Sequence, residues 1–240
     1  MATTLSSIPT HPVVTPQEWL ESARTLLAKE KELTRARDEV NRLRRELPWV
    51  RIDKDYLFEG PDGTQSLDQL FEDKSQLVVY HFMYASGWDE GCPGCSFVCD
   101  HADGARQHFE HNDLGFVAVS RAPLADFLPF KDRMGWTFRW LSSHGSDFSY
   151  DMGASFRPQD LEAGPVFFNY VEQRLQGEDQ PGLTVFAKDA DGNVYRTYST
   201  YERGLDLLIG AYNFLDLAPK GRREQSPMDW MRFHDRYGDR

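Results

Sequence analysis

Residues 77–99 read LVVYHFMYASGWDEGCPGCSFVC, and this stretch decides the fold. Residues 77–82 are mostly β-branched or aromatic, which favours a buried central strand. A loop leads to Cys92-Pro93-Gly94-Cys95, and apolar residues at helical spacing then continue to about residue 112. Residues 115–120 form a second apolar run. The stretch and its continuation therefore predict a β-α-β unit, which crosses over right-handed and pairs its strands in parallel.

The elements that follow complete an α/β order. Residues 123–134 are predicted to form a helix. Asp191-Gly192 is a strong hairpin signal between predicted strands at 183–188 and 193–199. An amphipathic helix at about 202–217 closes the series. The order β-α-β, helix, β-hairpin, helix is that of a thioredoxin-like fold, and it follows from the pattern alone.

A long helix is predicted before this domain. Thr15 and Glu18 form a capping box around Pro16, and apolar residues then recur at roughly helical spacing until Pro48 ends the helix. Its dense charges of both signs are typical of a solvated surface. The alternative is a clamp that wraps a partner subunit, and a homodimer through this helix is the assembly that this alternative implies.

Two other regions set the predicted domain organisation. Residues 49–58 alternate loosely before a turn cluster at 60–63, which predicts a strand and a hairpin. The interval 136–181 is irregular and aromatic, which predicts an insertion that packs on the sheet or forms a wall of the site. We therefore divide the chain into an N-terminal extension with the long helix (1–47), a thioredoxin-like domain (48–217) and a C-terminal tail (218–240).

Composition excludes several classes of protein. Of the 240 residues, 40% are hydrophobic and 27% are charged, which excludes a disordered or fibrous chain. The formal net charge of -11 would repel a phosphate backbone, so we expect no nucleic-acid partner. No apolar stretch approaches the ~20 residues that span a bilayer, and residues 1–14 lack the features of a secretory signal. We therefore expect a cytoplasmic protein without a membrane partner.

The three cysteines all lie between positions 92 and 99, which is typical of redox or metal chemistry in a reducing compartment. Cys92 is predicted at the amino end of a helix, where free N–H groups and the helix dipole stabilise a thiolate. Cys95 lies one turn later and is positioned to resolve a mixed disulfide at Cys92. Asp89 and Glu90 precede the pair, and their charges are expected to raise the pKa of the Cys92 thiol.

A metal site and inert buried thiols are the alternatives for these residues. Cys92, Cys95, Cys99 and His101 have the composition of a ligand set, but helical geometry places His101 opposite Cys92. No metal and no cofactor is therefore predicted. Cys99 lies roughly 10 Å along the helix from Cys92, beyond the reach of a disulfide, so we expect it to be partly buried and dispensable.

The histidines are given structural interpretations. His81 lies inside the first predicted strand, which indicates a hydrogen-bonded core residue. His101, His108 and His111 lie on the predicted helix and are interpreted as surface residues.

Motifs along nearly the whole chain carry a resemblance to a known family. The matching stretches are EKELTR at 30–35, RRELPWV at 44–50, GCPGCSF at 91–97, VSRAPL at 119–124, MGW at 134–136, GSDF at 145–148, TYSTYERG at 197–204 and DLAPKG at 216–221. On these stretches the chain resembles the thioredoxin-like family catalogued as domain of unknown function 899. The resemblance implies a thioredoxin fold with peroxiredoxin-like embellishment and brings no established reaction.

Two departures from better-known relatives concern function. Peroxiredoxins place a proline and a threonine or serine ahead of their reactive cysteine, and here Asp89 stands three residues before Cys92. Thioredoxins carry a proline immediately before the strand that faces the cysteine pair. Here Gly182 and Leu183 hold that region, with Pro181 slightly upstream.

Three functions are weighed on this basis. The first is a thiol-disulfide oxidoreductase in which Cys92 attacks a protein or small-molecule disulfide and Cys95 resolves the product. The second is a thiol peroxidase that uses Cys92. The third is a redox-silent protein that binds a small molecule on the same scaffold.

Two further residues are predicted to line the site. Ligands of open α/β sheets bind beyond the carboxyl ends of the strands, so Arg121 should face the same edge as Cys92. There it would steady the thiolate or an anionic substrate, with an ion pair to a neighbouring carboxylate as the alternative. Trp88, in the loop before the cysteines, is predicted to form a wall of the same pocket.

Overall fold

The structure is a computed structural model that describes residues 10–238. Its strands are β1 (Val50–Arg51), β2 (Leu57–Gly60), β3 (Gly63–Ser66), β4 (Gln76–His81), β5 (Leu114–Ser120), β6 (Arg139–Ser142), β7 (Val166–Phe168), β8 (Val171–Gln173), β9 (Gly182–Lys188) and β10 (Val194–Tyr201). Its helices are α1 (Pro16–Arg45), α2 (Pro93–His111), α3 (Leu124–Met134), α4 (Phe148–Asp151), α5 (Pro158–Ala163) and α6 (Gly210–Leu217). Short 3-10 helices lie at Gln69–Phe71, Glu202–Leu208 and His234–Arg236.

Eight strands form one mixed sheet in the order β1-β10-β9-β4-β5-β6-β2-β3. Strands β4, β5 and β6 are parallel to one another, whereas β9 runs antiparallel to β4 and to β10. The predicted β-α-β unit is confirmed as β4-α2-β5, and the predicted hairpin as β9-β10. Helix α2, which begins at the cysteine motif, follows the central strand β4, and the hairpin β9-β10 lies on one side of β4. This arrangement makes the domain thioredoxin-like.

Strand β4 shows why the central strands are continuously apolar. Leu77 and Val79 belong to the core on one face of the sheet, while Tyr80 and Phe82 belong to the core on the other face. Helices α2, α3 and α6 cover the second of these faces. Because both faces are buried, strand residues of either parity must be apolar.

Helix α1 forms as predicted but packs on little of the domain. Thr15 and Glu18 make both hydrogen bonds of the capping box, and the chain leaves the helix at Glu46. None of the 30 residues of α1 is buried. The predictions for residues 1–9, including most of the signal-peptide interval, lie outside the described residues. No helix between residues 10 and 238 is long and apolar enough to cross a membrane.

The structure differs from the predicted elements in three places. The interval 136–181 includes β6, which pairs with β5 in the main sheet, so only its later part lies beside the sheet. Three successive residues of β6 are buried and do not alternate, which hid the strand. Residues 49–58 contain parts of two strands, because β1 pairs with β10 whereas β2 pairs with β3 and β6.

The third difference concerns the closing helix. It divides into a 3-10 helix (Glu202–Leu208) and α6, and Ile209 between them adopts an extended conformation. Ile209 is fully buried, so the break turns its side chain into the core. Amphipathic spacing alone does not reveal such a break.

Candidate active site

Cys92 is the N-cap residue of α2 and lies just beyond the end of β4. Its backbone N–H donates to the carbonyl of Met83 (3.2 Å), which ties the motif to the chain leaving the strand. Pro93 occupies the first turn, where no N–H is needed. The Cys92 sulfur accepts the backbone N–H of Cys95 at 3.5 Å. The sequence-predicted position at the amino end of a helix is confirmed for Cys92.

The environment of Cys92 favours its thiolate. The Cys95 thiol donates a hydrogen bond to the Cys92 sulfur, and the backbone N–H groups of Cys95 and Gly94 add to it. Partial burial acts in the opposite direction. The net effect lowers the pKa of Cys92 from 9.0 to about 7, so the thiolate is present near neutral pH.

The carboxylates before the motif do not raise this pKa, contrary to the prediction. Glu90 is held in ion pairs by Arg133 and Arg236, which neutralise its charge beside the cysteine. Asp89 is exposed to solvent. The prediction failed because Arg236 lies far from Glu90 along the chain. The local sequence around Glu90 therefore gives no indication of this ion pair.

Cys95 lies behind Cys92 and is almost completely buried. Burial raises the pKa of its thiol well above the ordinary value, and its hydrogen bond to Cys92 acts in the same direction. Cys95 is therefore the protonated partner in the reduced pair. This division between an ionised outer sulfur and a protonated inner sulfur suits an attacking and a resolving cysteine.

Tyr80 of β4 is a residue of the site that sequence reasoning missed. Its side chain is buried, and its hydroxyl lies next to the Cys95 thiol without a well-directed hydrogen bond to any described residue. Burial raises the pKa of Tyr80, so the hydroxyl stays neutral. Within the apolar run of β4, a tyrosine gave no sign of a role beyond packing.

The lowered pKa of Cys92 gives a direct prediction. Alkylation of Cys92 by iodoacetamide should accelerate as pH rises through about 7, because only the thiolate reacts, and should then level off. Peptide mass spectrometry across a pH series gives the rate. An acceleration centred near ~8.5, as for an ordinary cysteine, would contradict the assigned hydrogen bonds.

Cys99 is fully buried, so the expectation of partial burial was wrong. Burial raises the pKa of its thiol, and the residue belongs to the core between α2 and the sheet. On α2, Cys99 faces the sheet, as Cys95 does. The Cys99 sulfur is therefore not exposed to solvent. A buried, protonated thiol is a poor nucleophile.

His101 also lies elsewhere than predicted. Its Nδ1 donates to the carbonyl of Phe97 (2.7 Å), and its Nε2 accepts the N–H of Ala211 (3.0 Å). The ring therefore joins α2 to the start of α6 and has no nitrogen free for a metal. Residues 10–238 contain no group of three or more His, Cys, Asp or Glu side chains arranged to hold a metal ion.

His81 is the hydrogen-bonded core residue that the sequence predicts. Its Nε2 lies 2.9 Å from the hydroxyl of Thr184 on β9. Burial lowers its pKa to about 3, so the ring is neutral at physiological pH.

Replacing Cys99 by alanine separates packing from chemistry. The variant should lose about 1 kcal/mol of unfolding free energy, because a buried sulfur is removed, and should keep the reactivity of Cys92. Urea denaturation and the alkylation rate measure the two effects. A Cys99→Ala protein that folds normally but has an unreactive Cys92 would require a role for the third thiol.

Two cavities meet at Cys92. The first cavity, of about 590 Å³, is lined by Cys92, Cys95 and Tyr80 among others. The second cavity, of about 570 Å³, reaches Cys92 from the other side and is also lined by Trp88 and Phe233. Trp88, which the sequence predicts to be a wall of the site, lines this second cavity and not the first.

The C-terminal segment, residues 222–237, lines both cavities. Met228 lines the first, and Phe233 is buried against the ring of Phe130 at 5.4 Å between centroids. Asp235 pairs with Arg133 at 2.8 Å. The region predicted as a tail thus forms part of the site, which local sequence did not indicate.

Arg121 does not join the cysteine pair. It pairs with Asp179 (2.9 Å) and Glu178 (2.8 Å) and lines a separate cavity of about 490 Å³. Arg121 therefore forms an ion pair with neighbouring carboxylates, which was the sequence-based alternative to a role beside Cys92. Pro181, by contrast, stands directly before β9 and lines the first cavity with the cysteines, so it occupies the position that the sequence comparison assigned to Gly182.

Comparisons with solved structures give distant similarities. PrxQ of Xylella fastidiosa is 12% identical, with a TM-score of 0.42, over 66% of this chain and 88% of that chain. Peroxidoxin BcpB of Mycobacterium tuberculosis is 14% identical, with a TM-score of 0.41, over 68% and 94%. A candidate thiol-disulfide oxidoreductase of Bacteroides vulgatus is 15% identical, with a TM-score of 0.38, over 66% and 92%.

The comparison with curated proteins finds no match. The family described as "Bacterial protein of unknown function (DUF899)" matches residues 8–237, nearly the whole chain. This match agrees with the resemblance carried by the motifs, including GCPGCSF at 91–97. The chain therefore belongs to the DUF899 family.

Proposed function

We propose that the protein is a thiol-disulfide oxidoreductase that uses Cys92 and Cys95. The observation that carries the proposal is the asymmetry of the pair. Cys92 borders two cavities and has a pKa of about 7, whereas Cys95 is buried, protonated and hydrogen-bonded to it. Such a pair combines an accessible nucleophile with a protected resolving thiol.

The reaction proceeds through a mixed disulfide. The Cys92 thiolate attacks one sulfur of a disulfide RSSR, and RS⁻ leaves and takes a proton from water. Cys95 then attacks the Cys92 sulfur, and its proton passes to the second RS⁻ as that group leaves, directly or through water. RSSR is reduced to two RSH while Cys92 and Cys95 form a disulfide. A dithiol reductant returns the pair to its starting state.

Tyr80 acts as a positioning residue in the second step. Its neutral hydroxyl lies against the Cys95 sulfur and can donate a hydrogen bond when Cys95 becomes a thiolate. The surrounding core otherwise opposes that charge, because it raises the pKa of Cys95.

The test is the redox equilibrium of the pair. The protein is incubated in defined ratios of reduced to oxidised dithiothreitol, and the reaction is quenched with acid. Free thiols are then alkylated, and the peptides are analysed by mass spectrometry. We expect Cys92 and Cys95 to form a disulfide reversibly, with Cys99 free and the circular dichroism unchanged. Two free thiols at every ratio would overturn the proposal and favour the redox-silent binding protein.

Hydrogen peroxide distinguishes the peroxidase alternative. A peroxidase would form a sulfenic acid on Cys92 at substoichiometric peroxide and release water, at a rate far above that of free cysteine. An oxidoreductase of the proposed kind should react with peroxide no faster than its thiolate content predicts. Trapping the sulfenic acid with dimedone gives the rate.

A further inference from the structure

The protein's own C-terminal segment occupies the approach to the cysteine motif. An ideal Cβ built at Gly94 would lie 3.2 Å from the Met228 sulfur, so Met228 rests directly on the motif. Met231 and Phe233 are buried and line the second cavity together with Cys92 and Pro93. These residues restrict the space beside Cys92, which favours a small molecule in the first cavity over an extended polypeptide.

The first cavity has a size and lining suited to a small organic molecule. Its volume of about 590 Å³ lies within the range of ligand pockets. Pro181, Leu205 and Met228 give it apolar walls around the cysteines. The apolar walls favour the carbon groups of a ligand, and the cysteines in the cavity lining are placed for its sulfur atoms.

The charges at the rim disfavour an anion. Arg203 pairs with Asp206 at 3.1 Å, and Arg222 pairs with Asp216 at 2.7 Å as well as with Asp206 at 3.3 Å, so two carboxylates balance the two positive charges. Glu202 accepts a hydrogen bond from the neutral side chain of Asn169 (2.7 Å). Glu224 accepts bonds from two neutral side chains, Tyr212 (2.7 Å) and Trp230 (3.2 Å). These two glutamates leave an excess of negative charge at the cavity.

We infer that the substrate of the cysteine pair is an uncharged, low-molecular-weight organic disulfide, bound in the first cavity. This inference rests on the proposed function. The reaction is the one given above, with a dithiol reductant returning the pair to its reduced form. Protein disulfides and anionic small disulfides are poor substrates.

The experiment compares three disulfides with the reduced full-length protein. Bis(2-hydroxyethyl) disulfide is uncharged, glutathione disulfide is anionic, and insulin is a protein. Each rate is divided by the rate of the same disulfide with dithiothreitol, which removes differences in intrinsic reactivity. We expect the uncharged disulfide to react at least ~10-fold faster than the other two on this scale.

A variant that fills the cavity identifies where the substrate binds. Ser226→Trp places a large ring in the first cavity and should slow bis(2-hydroxyethyl) disulfide at least ~10-fold, while Leu217→Trp, at an exposed position outside the cavity, should not. Equal or faster reaction of insulin or glutathione disulfide, or no effect of Ser226→Trp, overturns this inference alone. If no disulfide reacts and oxidised dithiothreitol never oxidises the pair, the proposed function fails as well.

A separate observation concerns α1. Trp19, Leu26, Leu33 and Val40 recur every seven residues along it, and each is at least 50% exposed. A helix of 30 residues is about 45 Å long, and most helical stability in proteins comes from packing an apolar face. These four residues match one of the two core positions of a coiled-coil heptad, and Ser22, Lys29, Ala36 and Leu43 take the other, so the repeat favours pairing with a second helix.

The charged residues that flank this line of apolar residues are complementary to those of a second copy of the chain. In a parallel pair, Glu32 faces Arg37 of the partner subunit, and the same contact forms twice by symmetry. An antiparallel pair would instead set one flank, with Glu18, Glu32 and Glu39, against the same flank of the other helix. Lys29 is the charged residue in the seam, the line along which the two helices would meet. It pairs with Glu32 of its own helix at 3.0 Å.

We propose that α1 forms a parallel two-helix dimer with a second copy of this chain. Light scattering of the full chain should give twice the mass of the chain. Leu33→Glu should raise the dimer dissociation constant at least ~10-fold, and Lys29→Leu should lower it, because each changes the seam. Lys31→Glu, on the opposite side of α1, is the matched control.

Each other outcome overturns this second proposal. A monomeric wild-type chain at ~100 µM excludes a specific dimer of this kind. A dimer that survives Leu33→Glu, or weakens equally with Lys31→Glu, would use another surface. Leu33 is exposed in the single chain, so its replacement should leave the fold and its circular dichroism intact.

Discussion

Cys92→Ser should lower the rate of disulfide reduction by at least ~10³-fold, because a serine hydroxyl is not ionised at neutral pH and cannot replace the thiolate. Cys95→Ser should behave differently. Its Cys92 can still attack, but the mixed disulfide is not resolved, so the substrate remains covalently attached. Steady-state turnover measures the first effect, and intact-protein mass spectrometry detects the second.

Both variants need to be compared at equal stability. Serine is close in size to cysteine, so thermal unfolding of Cys92→Ser should match that of the wild-type protein. A folded Cys92→Ser protein that still turns over disulfides would show that Cys92 is not the nucleophile. A Cys95→Ser protein that turns over freely, without an adduct, would remove Cys95 from the mechanism.

Trp140→Ala should lower the free energy of unfolding by about 3–5 kcal/mol. The indole is 1% exposed, and its ring lies 4.3 Å from that of Phe82 and 4.6 Å from that of Phe127, between centroids. Its Nε1 donates to the hydroxyl of Ser120 at 2.9 Å. Truncation therefore removes packing at the centre of the core and leaves a buried hydroxyl without its donor.

Guanidinium denaturation of the wild-type and variant proteins checks this expectation. Phe167→Ala is the matched control, because Phe167 is also aromatic but 61% exposed, and it should change the free energy by less than ~0.5 kcal/mol. A loss below ~1 kcal/mol at Trp140 would show that the ring is not packed as described.

Sequence patterns were sufficient where neighbouring residues determine the structure. Strand β4, the motif helix α2 and the hairpin β9-β10 have apolar runs, a helix start or turn residues within a few positions. Strand β6 was missed because three successive buried residues have neither strand alternation nor a helical period. The break at Ile209 depends on contacts with the rest of the core, which the spacing of residues 202–217 does not contain.

The candidate site was predictable only in part, for the same reason. The positions of Cys92 and Cys95 follow from the motif and the helix start. Tyr80 joins them because β4 runs beside α2, and Met228 because the chain returns from its far end. Arg121 was misplaced, since its carboxylate partners belong to the segment before β9 rather than to the loops near the motif.

The contact between Gly94 and Met228 has a consequence for the evolution and redesign of the motif. A side chain at position 94 would meet the Met228 sulfur at 3.2 Å, so these two positions are not free to change independently. Among homologues, we expect covariation: a larger residue at position 94 should accompany a smaller one at position 228. A dipeptide taken from another oxidoreductase to tune the redox potential would therefore also have to be accommodated by Met228, more than a hundred residues away.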